Sequence, residues 1–382
     1  VVNSHYRPIQ EKIHQSISWV YKQNQSAGNF LYEANALVFN GRNFDYERTI
    51  KNTIFSSFSS VVLISVHADE NNKNPFLQRQ GGTGTGFFTE VTNEHALVVT
   101  NYHVIQMFVE NPSMTIDVST ISEPWPYSAE VVGYDKVADI AVIKIHKKDN
   151  EEWTALEFED HTTISEGDPV VVIGHGLSMP WNITTGIVTY DGRMVRPYSL
   201  MLQTDAVINQ GNSGGPLLST DGKVIGVAQS ILSPGRQVPG WDGVGIAVHV
   251  RQLKRSYDYI LSDAYAEKGY VPYAEFPISA KMFEYEDVKD IPRNERNFIY
   301  IDYTDADFTK PSAGSISGLN AGDIVLELNG NPLQTSFALL VETLYAFPGD
   351  KITLKVLRDE QELEVELELL EADITELLKK FR

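Results

Sequence analysis

Cysteine is absent from this chain of 382 residues. The absence excludes a disulfide framework and a thiolate metal site, but it is compatible with the cytoplasm and the periplasm alike. Long apolar runs are absent too. The longest, Val61 to Val66 and Val170 to Ile173, fall well short of the roughly 18 residues of a membrane span. They are predicted as buried strands, and no membrane span is expected in this chain.

Basic residues are scarce relative to acidic ones. The chain has 31 Lys and Arg against 51 Asp and Glu, which gives a formal net charge of -20. A chain this acidic is repelled by a phosphate backbone, so no nucleic-acid partner is expected. The hydrophobic content of 42% supports real cores and argues against disorder. The length predicts two or three domains.

Residues 1–50 differ in pattern from the rest of the chain. Apolar residues at helical spacing predict a helix, and scattered aromatics between Phe30 and Tyr46 predict an irregular arm. Such an arm needs a surface to cover, its own or that of a neighbouring subunit, so it is a candidate oligomerisation segment. The chain begins at Val1 without the basic and apolar regions of a signal peptide. The sequence leaves open whether a targeting segment precedes it.

Residues 51–250 are predicted as a β domain. About twelve short apolar segments follow one another, separated by turn-forming residues and without helices, which is typical of barrels or a sandwich rather than an alternating α/β fold. Two six-stranded barrels fit the count. The predicted strands are 61–66, 83–90, 95–100, 114–118, 127–133, 139–145, 169–173, 183–190, 200–204, 216–219, 223–230 and 244–248.

The pattern changes near residue 250. A helical linker is predicted over 251–269 and ends at Gly269. A second, smaller α+β unit is predicted over 270–370. It contains a strand over 323–330, a helix near 337–344, and a hairpin whose lysines face glutamates across the strands. Residues 371–382 are predicted as a final amphipathic helix.

The residues from Gly211 to Pro216 read Gly-Asn-Ser-Gly-Gly-Pro. Glycines let the backbone fold tightly under Ser213, which is how chymotrypsin-like proteases present a nucleophile. The turn would aim the amides of Gly211 and Ser213 at the place where an oxyanion forms during acyl transfer. An ordinary loop is the alternative. A serine hydroxyl also needs a base and an orienting group.

Both partners are available upstream. The candidate base is His103, which follows the strand 95–100, and its alternative is a hydrogen-bonded structural histidine. The candidate orienting carboxylate is Asp139, which opens an apolar strand. Its alternative is a turn cap, because Asp135 and Asp139 could each bond nearby amides. The order His103, Asp139, Ser213 along the chain favours a triad, with the carboxylate fixing the imidazole tautomer.

Two other kinds of site are not predicted. The glycine-rich segment Gly81 to Gly86 suggests a phosphate cradle, but it lacks the Gly-Lys-Ser/Thr of a P-loop and leads into a strand. A glycine-rich strand close to the active site explains it better. The histidines are scattered, with no metal-binding spacing. We therefore expect neither a cofactor nor a metal.

These motifs resemble those of the HtrA family, DegP/DegQ-like serine proteases that carry a PDZ domain. The resemblance covers residues 55–370 and is strongest in the first half. It implies a chymotrypsin-like double β-barrel followed by a PDZ-like α+β domain. The segments that carry it are Gly82–Phe87, Thr100–Val104, Asp139–Lys144, Gln203–Leu217, Gly243–Val248 and Ser317–Ile324.

The resemblance assigns roles to individual residues. His103 is implied as general base, Asp139 as its orienting partner and Ser213 as nucleophile, with the amides of Gly211, Ser213 and Asn212 as the oxyanion hole. Ile208 stands five residues before the nucleophile, where the family lines its S1 pocket. An aliphatic wall there implies small or medium aliphatic P1 residues and rejection of Lys and Arg, because a buried charge would lack a partner.

The family also implies a cellular role. Its members are ATP-independent endopeptidases of protein quality control, which cut unfolded or misfolded polypeptides in the periplasm or an equivalent compartment. They assemble as trimers or multiples of trimers through N-terminal aromatic segments. They also switch between inactive and active loop arrangements, and the candidate loops here are 71–82, 174–182, 191–199 and 231–242. A proteolytically silent chaperone or scaffold on the same fold is the alternative function.

One departure from the family concerns the second domain. The family's PDZ domain begins with a Tyr-Leu-Gly-like loop whose amides hold a peptide C-terminus. Here the segment reads Tyr270-Val271-Pro272-Tyr273, and Pro272 removes a donor and restricts the loop. We therefore expect this domain to serve in packing, assembly or regulation rather than in capture of C-termini by strand addition.

Overall fold

The structure is a computed structural model. Nearly all the residues it describes belong to the second of two compact units, Ile50–Arg382. The described residues are 46–68, 81–122, 126–148, 151–175, 181–196, 199–229, 244–275, 280–282, 299–301, 318–320, 323–332, 341, 344–359 and 361–375. The following predictions lie wholly or mostly outside them: the N-terminal helix and arm, the loops 71–82, 174–182 and 231–242, the helix near 337–344 and the final helix. Within the first two of these loops, residues 81–82, Gly174 and Asn182 are described and belong to strands.

Six strands form the first barrel: β1 Val61–Ala68, β2 Gly81–Val91, β3 His95–Thr100, β4 Met114–Ser119, β5 Tyr127–Asp135 and β6 Ile140–His146. They close in the order β1-β2-β3-β6-β5-β4. Apolar residues alternate along them, as in β4, where Met114, Ile116 and Val118 are buried. Their inward side chains form one continuous core.

Six further strands form the second barrel: β7 Pro169–Gly174, β8 Asn182–Arg196, β9 Ser199–Thr204, β10 Pro216–Leu218, β11 Val224–Gln229 and β12 Gly245–His249. They close in the order β10-β11-β12-β9-β8-β7. The two closed barrels confirm the predicted mainly-β, double-barrel fold, and all twelve predicted strands are present.

The predicted loop 191–199 is wrong for most of its length. Strand β8 continues through Asp191 to Arg196 and pairs with β9. Gly192, whose position after Asp191 predicts a turn, has a φ of 80° and lies where the register shifts between Tyr190 and Arg193. The glycine therefore accommodates an irregularity within a long strand rather than ending the strand.

The expectation of strands without helices is also wrong. Helix α1 spans Tyr46–Ser57 before the first barrel, and α2 spans Tyr102–Glu110 between β3 and β4. Val104 and Ile105 pack into the first core. The α2 helix is short, and its apolar residues cluster on one side against the barrel, so its sequence alone does not distinguish it from a buried strand.

The helical linker contains two helices instead of one. Helix α3 spans Val250–Ile260 and α4 spans Asp263–Lys268. The chain turns at Leu261 and Ser262 between them. Gly269 ends α4 as predicted, with a φ of 74° and its amide bonded to Tyr265 O at 2.7 Å. This left-handed residue after the helix favours glycine. No helix in the described ranges is long and apolar enough to cross a membrane.

The second domain contains eight strands in the described ranges: β13 Ala274–Glu275, β14 Ala280–Met282, β15 Ile299–Ile301, β16 Ile324–Leu328, β17 Asn331–Pro332, β18 Lys351–Arg358, β19 Gln361–Glu368 and β20 Leu370–Glu371. Six of them form a sheet, in which β14-β15-β16-β18-β19 follow one another and β17 pairs with β16 off this path. The predicted hairpin of β18 and β19 is confirmed, with Lys351 paired to Glu366 at 2.6 Å and Lys355 to Glu362 at 2.8 Å. A separate pair, β13 and β20, joins the two ends of the domain.

A buried polar cluster fixes the start of this domain on helix α3. Oδ2 of Asp135 accepts hydrogen bonds of 2.7 Å from the hydroxyls of both Ser256 and Tyr273. The guanidinium of Arg255 donates to Pro272 O at 2.7 Å and lies 4.5 Å from the ring centre of Tyr273. Residues 271–274 are all buried. The segment that departs from the family pattern is therefore packed inside the protein.

Candidate active site

Asp139 lies at the end of a tight turn that joins β5 to β6. Asp135 caps this turn, since its Oδ1 accepts the amides of Val137 at 2.9 Å and Ala138 at 3.1 Å. Of the two aspartates for which a capping role was open, Asp135 performs it. Asp139 has a left-handed backbone with a φ of 57°, and its carboxylate contacts His103 instead.

His103 is the second residue of helix α2, which starts directly after β3. Its amide donates to Oδ1 of Asp139 at 2.8 Å, and its ring Nδ1 lies 2.7 Å from Oδ2 of the same carboxylate. Both the main chain and the ring of His103 are thereby oriented by Asp139. Because an ionised carboxylate only accepts, Nδ1 carries the proton and Nε2 is the basic nitrogen.

The carboxylate of Asp139 is buried and remains ionised. Burial by itself raises the pKa of Asp139, but the charge and hydrogen bonds of His103 and the hydrogen bond from Gln229 outweigh it and hold the pKa below its ordinary value. The main-chain oxygen of Asp139 also accepts the side-chain amide of Asn101 at 2.9 Å. An ionised, fixed carboxylate is what stabilises an imidazolium during proton transfer.

Two consecutive turns present Ser213. In the first, the Asn212 amide donates to Asn209 O at 3.0 Å, and Gly211 is the third residue with a φ of 99°, as in a type II turn. In the second, the Gly215 amide donates to Asn212 O at 2.9 Å, and Gly214 has a φ of 85°. A side chain at Gly214 would also collide with main-chain and side-chain atoms of the first barrel.

The three amides expected at the oxyanion hole are not equivalent. The Asn212 amide already donates to Asn209 O, which removes it from the expected set. This is a correction to the expectation for Asn212, and its cause is the turn that closes on Asn209. The candidate donors are therefore the amides of Gly211 and Ser213. In a type II turn the central peptide, here Gln210–Gly211, is flipped relative to a type I turn, and this flip sets the direction of the Gly211 amide.

His103 and Ser213 line one open cleft of about 500 Å³. Gly211 and Gln210 lie on the same cleft, next to the nucleophile. The apolar part of the lining comes from β1 and α2, as Val66, Val104 and Met107. The structure therefore brings the predicted base, nucleophile and one oxyanion donor to a single surface that is open to a substrate.

Ile208, which is predicted to line the S1 pocket, lies on the second barrel. It is half-buried and packs against the second core. A Cβ placed on Gly245 would lie 3.1 Å from its Cδ1, so the two residues are neighbours. Ile208 is not among the described residues that line the cleft, and its assignment to the S1 pocket stays a prediction.

Two further residues at the site were not identified from the sequence. Gln229 reaches Asp139 from the end of β11, and Thr85 on β2 donates its amide to Ser213 O at 2.8 Å. Gln229 is the one polar side chain of the buried strand β11, which is a signal that could have found it, whereas Thr85 is a buried threonine in the middle of the mixed strand β2 and has no such signal. Thr85 belongs to the glycine-rich segment, so that segment is indeed a strand packed next to the nucleophile.

Comparisons with known proteins agree with this geometry. A trypsin-like peptidase domain matches residues 84–227, and a PDZ domain matches residues 304–369. The periplasmic serine endoprotease DegP of Escherichia coli K12 is 31% identical over 310 residues, which cover 78% of this chain and 61% of DegP. A probable DegP-like periplasmic serine endoprotease of Chlamydia muridarum is 30% identical over 291 residues, covering 75% of this chain and 54% of that protein.

The chain therefore combines a trypsin-like peptidase domain with a PDZ domain and is similar to DegP-type serine endoproteases. It spans between about half and three fifths of the length of these two relatives. Solved HtrA-type structures share its fold. The protease AlgW with a tripeptide is 23% identical and aligns with a TM-score of 0.62, covering 85% of this chain and 97% of AlgW. A serine endoprotease from Yersinia pestis, also 23% identical, covers 85% and 98% of the two chains with a TM-score of 0.54.

Proposed function

We propose that this protein is a serine endopeptidase of the HtrA family that cleaves unfolded or misfolded polypeptides. The observation that carries the proposal is the bidentate contact of Asp139 with His103, together with Ser213 on the same cleft. In this mechanism Ser213 Oγ attacks the scissile carbonyl while His103 Nε2 takes its proton. Asp139 stabilises the resulting imidazolium, and His103 then gives the proton to the leaving amine.

The oxyanion of the tetrahedral intermediate is proposed to bind to the amides of Gly211 and Ser213. The type II turn at Asn209–Asn212 supports this assignment, because the orientation of its central peptide sets the direction of the Gly211 amide. The Asn212 amide, in contrast, is used within the turn. Donors that are already in place need no reorganisation when charge develops. Because the turn holds these donors in place, it argues against a protein that is permanently inactive as a protease.

The finer features of the proposal rest on the resemblance to the HtrA family and on single residues. Ile208 is proposed to line the S1 pocket and to select small or medium aliphatic P1 residues. Cleavage is proposed to need no ATP. The chain is proposed to act as a homo-oligomer in the periplasm or another exported compartment, which fits the periplasmic names of its relatives. Deleting residues 1–46 should dissociate that oligomer, and unchanged sedimentation would exclude the arm from this role.

The PDZ domain is proposed to serve in packing, assembly or regulation rather than in capture of peptide C-termini. The burial of Val271, Pro272 and Tyr273 against α3 supports this, because a segment enclosed in this way does not present its backbone to a ligand. Binding of free peptides with aliphatic C-termini to the intact chain would contradict it.

The deciding experiment incubates the protein and its Ser213→Ala variant with unfolded β-casein and with a serine-directed fluorophosphonate. Fragments and covalent labelling that both vanish in the variant establish the nucleophile. Casein cleavage that survives in Ser213→Ala would show that another residue, or a contaminant, performs the reaction. Absence of both signals in the native protein would contradict a competent oxyanion hole.

A further inference from the structure

Several peptides of the loop 209–215, which carries Ser213, are held by main-chain hydrogen bonds. Gly215 N–H binds Asn212 O, Gly214 N–H binds Ala228 O at 2.9 Å, and Ala228 N–H binds Gly215 O at 2.8 Å. Among the described residues no main-chain hydrogen bond reaches the Gln210–Gly211 peptide. The rigidity of the neighbouring Gly211–Asn212 peptide therefore decides how well the Gly211 amide is directed.

Thr85 on β2 holds that neighbouring peptide. Its hydroxyl donates to Gly211 O at 2.7 Å, while the amide of Asn212, at the other end of the same peptide, is held by Asn209 O. Thr85 is fully buried, and its own carbonyl accepts the hydroxyl of Thr100 at 2.7 Å. The peptide fixed in this way joins Gly211 to Asn212, and so connects the two proposed oxyanion donors, Gly211 N and Ser213 N.

His175 sets the direction in which the Thr85 hydroxyl points. The His175 amide donates to Thr85 Oγ1 at 3.1 Å, and His175 Nδ1 lies 3.1 Å from the same oxygen. A hydroxyl has one proton to donate, and Gly211 O can only accept. The Thr85 proton therefore goes to Gly211 O, and His175 Nδ1 must supply its own proton to Thr85 Oγ1.

The surroundings of His175 agree with this tautomer. Its ring is buried, and Nε2 has no hydrogen-bond partner within the described ranges, as suits a nitrogen that carries no proton. Burial lowers the pKa of His175 to about 4, so the ring is neutral at pH 7. Trp181 packs edge-on against the ring at 5.0 Å, and its own indole N–H donates to Val61 O. The opposite tautomer would draw the Thr85 proton to Nδ1 and leave Gly211 O without a donor.

We propose that Thr85 and His175 are positioning residues that act through the Gly211 carbonyl to hold the two oxyanion donors in register. The proposal rests on the proposed protease function. The chemistry needed from His175 is an Nδ1–H donor, and the chemistry needed from Thr85 is a hydroxyl. Neither residue is required to touch the substrate.

The first test compares Thr85→Val, which keeps the shape and loses the hydroxyl, with Thr85→Ser, which keeps the hydroxyl. The substrate is an internally quenched peptide with valine at P1, and the fluorophosphonate labelling rate is measured in parallel. Because full loss of one oxyanion donor costs roughly 10²- to 10³-fold in kcat, we expect a loss of ~10- to 100-fold in Thr85→Val. KM should change less than about twofold, and Thr85→Ser should recover most of kcat and of the labelling rate.

The second pair addresses His175 and any failure of Thr85→Val to fold. His175→Leu should lower kcat with little change in KM, whereas His175→Asn, which retains an amide donor, should recover it. Equal losses in the Ser and Val variants, or native kcat in both Thr85→Val and His175→Leu, would overturn the proposal. A loss confined to KM would overturn it too, since it would place these residues in substrate binding.

A third measurement separates this proposal from the proposed function. Histidine-selective ¹⁵N NMR on the intact native protein at pH 7, assigned with His175→Asn, reports which ring nitrogen carries the proton. An Nδ1–H signal for His175 supports the arrangement even if no casein is cut, and an Nε2–H or doubly protonated ring overturns it. If the native protein is neither labelled by the fluorophosphonate nor active on casein, the protease function fails on its own account.

Discussion

Asp139 contacts His103 at two atoms at once, with 2.8 Å from Oδ1 to the main-chain nitrogen and 2.7 Å from Oδ2 to ring Nδ1. The first contact fixes the start of helix α2, and the second fixes the tautomer of the ring. The start of the helix and the proposed catalysis therefore depend on different oxygens of one carboxylate. A substitution that changes only the second oxygen separates the two contributions.

Asp139→Asn is that substitution. Its carbonyl oxygen can still accept the His103 amide, but its NH₂ group facing Nδ1 favours the wrong tautomer. We expect the variant to fold and to lose roughly 10³- to 10⁴-fold in kcat, the size of effect known when a triad Asp becomes Asn. Circular dichroism and a thermal melt verify the fold, and turnover of a P1-valine peptide measures the loss. Native turnover would remove Asp139 from the proposed triad.

Gln229 supports Asp139 from the second barrel through its side-chain amide. Gln229→Leu removes that donor and, among the described residues, leaves the buried Oδ2 of Asp139 with His103 alone. We expect kcat to fall by about tenfold, because a hydrogen bond to a charged group is worth roughly 1.5–3 kcal/mol and part of that loss weakens the hold on the imidazolium.

Gln252→Leu is the matched control for Gln229→Leu. Gln252 is also a buried glutamine, and it donates to Tyr273 OH at 2.9 Å, away from Asp139. It should lose stability without a comparable fall in kcat. Equal falls in kcat in both variants would show that general loosening, rather than the Asp139 contact, controls turnover.

The sequence predicted the parts of this protein that depend on local pattern. Alternating apolar residues and turn signals located all twelve barrel strands, and the order of His103, Asp139 and Ser213 indicated the chemistry. It did not reveal that the Asn212 amide is used by Asn209, because the turn type depends on backbone dihedrals that Gly211 leaves free. It also did not indicate the contact of Gln229 with Asp139, since a hydrogen bond between residues of two different barrels is set by the tertiary fold.

Tyr273 lies in the segment that departs from the family PDZ pattern, and its buried hydroxyl should stabilise the folded state. Its hydroxyl donates to the buried Asp135 and accepts from Gln252, and burial raises its pKa well above the ordinary value. Tyr273→Phe leaves part of a buried carboxylate unpaired. We expect a loss of roughly 1–3 kcal/mol in the free energy of unfolding, measured by chemical denaturation.

Tyr270→Phe is the control for Tyr273→Phe. The Tyr270 hydroxyl donates to Glu371 at 2.6 Å, but the residue is 40% exposed. Because water replaces an exposed hydrogen bond, the loss should stay within about 0.5 kcal/mol. If both variants lose the same free energy, Tyr273 does not have the anchoring role that its burial implies.

His175 should make the folded state sensitive to acid. Burial lowers its pKa from 6.5 to about 4, so the unfolded chain takes up a proton in this range that the folded protein does not. Its contribution is therefore constant above pH 6.5, and stability falls as the pH drops from 6.5 towards 4. The difference in pKa corresponds to a total loss of roughly 3 kcal/mol. Denaturation of native protein and His175→Asn at pH 7, 5.5 and 4.5 measures it. As the pH falls, the free energy of unfolding of the native protein should decrease relative to that of the variant. A difference between the two free energies that does not change with pH would show that His175 protonates freely in the folded protein.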